Sequence, residues 1–200
     1  MTTAIAEAQR ADEKTDFSKF LSNFTITNGD KVAGTKANIT STGDGSAGIF
    51  AQSIGAGGGI AGQADIGFKG KFGLGGSGGA AGSASTVLVD HFGDITTGGK
   101  EGFGIFAQSV GGGGGKGGSV DRGPKDIGLG IAYAQDGGSS GDGGLVTVNS
   151  EGQISTAGNG ATAIFAQSVG GGGGVGALCD DSTPGGVACT PPAGGAGGTE

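Results

Sequence analysis

Histidine is the side chain best suited to moving protons near neutral pH, and this 200-residue chain has one, His91. It lies in Asp90-His91-Phe92-Gly93, a turn-like stretch with nothing equivalent elsewhere and no residue marked out to orient it as a general base. Cys179 and Cys189 enclose a segment containing Pro184-Gly185. With no Cys-x-x-Cys and no histidine nearby, zinc or thioredoxin-like chemistry is not indicated. The pair has the spacing to close a small disulfide loop in an oxidising compartment, worth roughly 3 kcal/mol, or to remain two free thiols. Lys116 follows a glycine run, but Val110 and Gly117 break the Gly-x4-Gly-Lys-Ser/Thr pattern of a phosphate loop. Gly73-Leu74-Gly75-Gly76-Ser77-Gly78 fits Gly-x-Gly-x-x-Gly, yet glycine is 53 of 200 residues and no helix-forming stretch follows, so the match carries no dinucleotide reading. Gly137-Gly138-Ser139-Ser140-Gly141-Asp142 has the composition of a calcium-binding repeat with the wrong spacing and no tandem partner. Asp44, Asp94 and Asp142 are expected in turns. A polysaccharide-cleaving site needs clustered carboxylates beside a lysine or arginine, and no single unit of the sequence supplies one. The sequence thus predicts no catalytic, cofactor-binding or metal-ligating residue. A net charge of −7 with isolated basic residues argues against nucleic acid.

What the chain does possess is repetition. Gly48-Ile49-Phe50-Ala51-Gln52-Ser53-Ile54-Gly55 returns as Gly104-Ile105-Phe106-Ala107-Gln108-Ser109-Val110-Gly111, and again as Ala163-Ile164-Phe165-Ala166-Gln167-Ser168-Val169-Gly170. The isoleucines are 56 and then 59 residues apart, and each copy runs into glycine. Upstream of the second copy stand Val87-Leu88-Val89 and Gly93-Asp94-Ile95-Thr96-Thr97; upstream of the third, Val146-Thr147-Val148 and Gly152-Gln153-Ile154-Ser155-Thr156. Asn38-Ile39-Thr40-Ser41 fills the place before the first, preceded by a looser Phe24-Thr25-Ile26-Thr27 and a few extra residues. A period of this size marks stacked units that share one core.

Charged residues are 14% of the chain, and the apolar ones fall in period-2 runs at corresponding places, the pattern of half-buried strands. Glycine within a helix costs about 1 kcal/mol relative to alanine, which excludes helix through Gly111 to Gly115. The fold class expected is therefore all-β: a parallel β-solenoid of three glycine-rich repeats of about 56–59 residues. Coils of about 20 to 25 residues would place two or three in each unit, giving a rod roughly 30 to 45 Å long. The expected organisation is a lead or capping segment at 1–23, with Phe17, Phe20, Leu21 and Phe24 at helical spacing; the solenoid at 24–178; and a Cys/Pro/Gly-rich tail or truncated repeat at 179–200. The glycine runs read either as flexible surface loops or as places where backbones approach too closely for a Cβ.

Alternation within the strings puts Ile49, Ala51 and Ser53 on one face, suited to a narrow interior. Phe50, Gln52 and Ile54, Phe106, Gln108 and Val110, and Phe165, Gln167 and Val169 then lie on the other, with ladders of ring on ring and amide on amide; the inverse facing, or a bend at Gln52, satisfies the same pattern. The start of the chain shows no signal-peptide pattern and no run approaches a membrane span, and the last unit stops part-way, so a fragment of a longer protein is expected.

Gly-Ile-x-Ala-Gln-Ser-Ile/Val-Gly followed by glycine, and preceded by Val-x-Val and Gly-x-Ile-x-Thr, resembles the repeats of large autotransporter passenger regions of Gram-negative bacteria, over roughly residues 24 to 178. The resemblance implies a surface-exposed or secreted β-helical passenger. A C-terminal β-barrel, absent from this chain, would carry it across the outer membrane. It also implies an adhesive, non-enzymatic role toward a host or abiotic surface or other cells, and carries over no catalytic residue and no cofactor. Two other readings of such a scaffold are an ice- or crystal-surface binder using Thr-rich rows and a polysaccharide-acting enzyme. Against the first, Thr40-x-Thr42, Thr96-Thr97 and Ser155-Thr156 recur only every 56 or 59 residues.

Overall fold

The computed structural model describes residues 23–62, 64–65, 72–121, 131–177 and 192–200. Of the lead segment expected at 1–23, residues 1–22 lie outside them, as do both cysteines; Asn23, and Phe24 at the end of the helical spacing, belong to the first strand. The described residues contain thirteen strands and no helix. The first unit supplies β1 (Asn23–Asn28), β2 (Ile39–Ser41) and β3 (Ala47–Ile54), then β4 (Ala64–Asp65) and β5 (Phe72–Leu74). The second supplies β6 (Thr86–Phe92), β7 (Ile95–Thr97) and β8 (Phe103–Val110), then β9 (Val120–Asp121) and β10 (Ile131–Tyr133). The third supplies β11 (Val146–Glu151), β12 (Ile154–Thr156) and β13 (Thr162–Val169).

Each unit gives one strand to each of three parallel three-stranded sheets: β1-β6-β11, β2-β7-β12 and β3-β8-β13. The register pairs like with like: Ile49, Ile105 and Ile164 align, as do Ile39, Ile95 and Ile154. The extra residues of the first unit are absorbed in a small hairpin where Asp30 and Thr35 exchange backbone hydrogen bonds of 2.8 Å. One unit is therefore one layer, and the expected two or three coils per unit do not form. Three layers at about 4.8 Å span only about 10 Å between the first and last strands, well short of the expected rod. The reason lies in the glycine passages, which leave the sheets instead of winding further coils.

The core centres on the middle layer and takes in Ile49 and Ala51 of the first. Val87, Val89, Ile95, Ile105 and Ala107 are fully buried, packed against partly buried Ile26, Ile39, Val146, Val148 and Ile154 of the layers on either side. The layers also climb. A Cβ on Gly48 would stand 2.7 Å from Cγ2 of Ile95, one layer on, and 3.6 Å from Cγ2 of Ile39 in its own layer. Each β3-type strand thus sits level with the isoleucine of the following layer. The glycine that opens the first two strings makes room for that isoleucine; the third string has Ala163 there, exposed at the end of the climb.

Each glycine passage runs outward and returns: 55–62 and 75–85, then 111–118 and 136–145, then 170–177 and 192–199. Outgoing segments bond every third residue to the outgoing segment of the next layer, as in Gly55 N–H to Val110 O, Gly58 to Gly113 and Ala61 to Lys116. Another third bonds to a returning segment: Gly112 to Gly82, Gly115 to Gly79 and Gly118 to Gly76. Extended chain with three residues per repeat is polyproline-II geometry. None of these glycines has positive φ. Those that face a neighbouring arm are required by space: a Cβ on Gly112, Gly115 or Gly118 would overlap the carbonyl oxygen of Ala56, Gly59 or Gly62. Of the two readings of the runs, close backbone approach is the one the structure takes.

Candidate interaction surface

Burial decides the facing of the strings. Ile49, Ala51, Ile105, Ala107 and Ser109 are buried, and Phe50, Gln52, Phe106 and Gln108 turn outward. Parallel pairing brings the three copies of each outward residue into one column. Gln52 Nε2 donates to Gln108 Oε1, and Gln108 Nε2 to Gln167 Oε1, both at 2.6 Å. Phe50, Phe106 and Phe165 stack with centroids 4.9 Å apart and ring planes 4° and 12° from parallel, while Phe103 meets two of them edge-on. The ring faces are spent largely on one another, so the column offers edges outward and suits aliphatic contact better than sugar stacking.

The columns continue onto the outgoing arms, whose third residue in three faces solvent. Ile54, Val110 and Val169 align next to the glutamines; then Gly57, Gly113 and Gly172; then Ile60, Lys116 and Val175. Ile54, Ile60 and Val175 are all strongly exposed. The result is a regular face with one row per layer and alternating aromatic, amide, aliphatic and bare-backbone columns.

Sequence reading missed the work done by the serines of the strings. Ser53 Oγ accepts from the Ser85 amide at 2.8 Å; Ser109 Oγ donates to the Ser85 carbonyl at 3.0 Å and accepts from the Gly144 amide at 2.7 Å. Each hydroxyl fastens its strand to the chain entering a following layer. A small inward polar residue beside the ladder glutamine was the available signal.

The expected turn aspartates also act between layers. Asp44 accepts from the Lys100 amide, Asp94 from Gln153 and Asp142 from Thr199, each at 2.8 Å. The amide and hydroxyl of Thr199 hold the exposed Asp142 carboxyl below its ordinary pKa. Lys31, Asp30, Asp90, Asn149 and Glu151 line a hollow assembled from all three units, a gathering that reading unit by unit does not reveal. Its groups are engaged with one another: Lys31 pairs with Glu151, Asn149 donates to Asp90 at 2.7 Å, and Asp30 caps the amides of Val32 and Ala33. Thr40, Thr96 and Ser155 also stand in neighbouring layers, in one exposed column. The wide sequence spacing that argued against a hydroxyl row therefore does not separate them in space, but the column is one residue wide, since Gly98 and Ala157 follow where Thr42 stands in the first unit.

His91 is strand, not turn. It points into the core, 3% exposed, between Asn28 and Ser150 in the same column, and neither ring nitrogen has a hydrogen-bond partner among the described residues. Burial holds its pKa below the ordinary 6.5, opposed by the Gly93 backbone and the Asp94 carboxylate. The unfolded chain takes up a proton that the folded ring resists, so stability is fully present above about pH 6.5 and falls as the pH drops below it toward the lowered value. The midpoint of urea unfolding is expected to be lower at pH 5.5 than at pH 7.5. His91→Asn, which places in this layer the residue type of Asn28, should remove most of that difference; an unchanged pH dependence would assign it to other groups.

Comparison of the chain with protein families, with curated proteins and with solved structures gave no match.

Proposed function

We propose that this chain is a stretch of an autotransporter passenger, a closed parallel β-solenoid displayed on a bacterial cell surface and held there through a C-terminal β-barrel beyond these residues. In this reading it is not an enzyme and needs no cofactor; it attaches to a host or abiotic surface, or to other cells, by many weak contacts. The observation that carries the reading is the register: three sequence-distant copies of Phe, Gln and Ile/Val become columns of a single face, so every added unit adds an identical row. The resemblance of the strings to passenger repeats supports the cellular setting.

A rigid array of identical weak contacts gains avidity with length and without new chemistry, by about 10²- to 10⁴-fold when several units engage together. A protein carrying many such repeats is therefore expected to attach to cells or to a solid surface far better than this three-unit chain, with Gln108→Ala changing little in either. Attachment that does not rise with repeat number, or that one substitution abolishes, would replace this reading with a discrete site.

A further inference from the structure

We infer that two copies of this chain pair face to face about a two-fold axis along the stack, each setting its glutamine ladder over the other's bare glycine column. The pairing gives the face of aligned columns a partner and rests on reading that face as the surface of contact. One column of glycines has no internal reason to be glycine. Gly57, Gly113 and Gly172 are exposed, none has positive φ, and a Cβ on any of them would meet nothing closer than 3.8 Å. Gly112 and Gly114, on either side of Gly113, are by contrast held to glycine by carbonyl oxygens of neighbouring segments. What the bare column leaves open is backbone. Among the described residues the amides of Gly57, Gly113 and Gly172 donate to no acceptor, and the Gly114 carbonyl accepts from no donor. For Gly113 and Gly114 this does not come from an uncovered layer, since their arm is bonded to an outgoing arm on each side.

The matching groups stand two columns away. Gln108 spends one N–H on Gln167 and one lone pair on Gln52, which leaves one of each free of the ladder. Between the two columns run Ile54, Val110 and Val169, with Ile54 65% exposed. A two-fold axis along that aliphatic column packs it against its own copy. It also lays each copy's amides over the other's unpaired backbone groups, where no Cβ holds them apart. The one charge among these columns is Lys116, and the axis sets its two copies apart, in keeping with the depletion of charge at interface cores. A row from Phe50 to Ile60 is about 30 Å long and three layers are about 15 Å deep, so the pair buries about 900 Å² in all. A specific interface needs about 1,000 Å². The pairing of this chain is therefore weak, and each further layer adds about 300 Å² to it.

Sedimentation equilibrium of the full chain at concentrations up to about 1 mM tests this. The weight-average mass is expected to rise toward twice that of the monomer and no further, because an isologous contact closes on itself. Gly113→Leu and Ile54→Lys place side chains where there is open space or high exposure, so both should fold, as circular dichroism can verify. Each should weaken pairing at least tenfold. Val32→Lys, at a 99% exposed position off this face, should pair as the wild type does. A wild-type chain that stays monomeric, either face variant pairing undiminished, or growth beyond two copies would overturn the inference. Attachment that still rises with repeat number while this chain stays monomeric overturns the pairing alone; pairing without that rise overturns the adhesive reading instead.

Discussion

Gly115→Ala is expected to cost about 3 kcal/mol or more, from one methyl group. At this position a Cβ would overlap the carbonyl oxygens of Gly59, in the neighbouring outgoing arm, and of Gly79, in a returning arm. Both obstacles are backbone, so no rotamer change relieves them. Gly115 also donates to Gly79 at 3.0 Å and accepts from Gly138 at 2.9 Å, so moving it away breaks bonds on two sides. Gly113→Ala, two residues earlier, makes the control: the nearest atom to its Cβ is the Gly172 oxygen at 3.8 Å. With φ negative and space available, that alanine should be neutral or stabilise by about 0.4–1 kcal/mol, because it restricts the unfolded chain. Thermal unfolding followed by circular dichroism separates the two. Equal effects would mean that the arms are loose loops and not a bonded bundle.

The same geometry explains a pattern present in the sequence all along. In the middle outgoing arm, 111–118, every residue is glycine except Lys116, which falls on the outward third position. The arms on either side, each with a neighbouring layer on one side only among the described residues, admit Ala56, Ala61 and Ala177, and their large residues, Ile60 and Val175, share the outward position of Lys116. This is a period of three, and a search for periods of 2 and 3.6 passes over it. The strands were legible for the opposite reason: alternation marked their two faces, and near-identical strings at offsets of 56 and 59 fixed which residues would align. Layer height was misjudged because residues 55–62 and 75–85 were assigned to coils when they form an arm. The cluster of Lys31, Asp90 and Glu151 was invisible because its members come from three units, each unremarkable alone. Ala163 stands where Gly48 and Gly104 stand, and among the described residues no following isoleucine meets its methyl group.

Ile105→Ala is expected to destabilise the chain by about 2–5 kcal/mol, the usual range for emptying an isoleucine site in a closed core. Ile105 is fully buried, with Ile49 and Ile164 aligned on either side of it and Ile95 in the facing sheet. A cavity there has layers above and below that are pinned by their own hydrogen-bond ladders, so collapse can recover little of the loss. Ile164→Ala removes the same atoms from the same column, but its side chain is 45% exposed, and roughly half the transfer free energy was never gained on folding. Its cost should be about 1 kcal/mol, with no closed cavity left behind. Urea unfolding of the two variants, with slopes compared as well as midpoints, tests the difference. Hydrogen exchange adds a local reading: amides of β8 should be protected beyond those of β13, since the outer layer can open without the middle one. Similar losses for both substitutions would show that the third layer is covered as completely as the second.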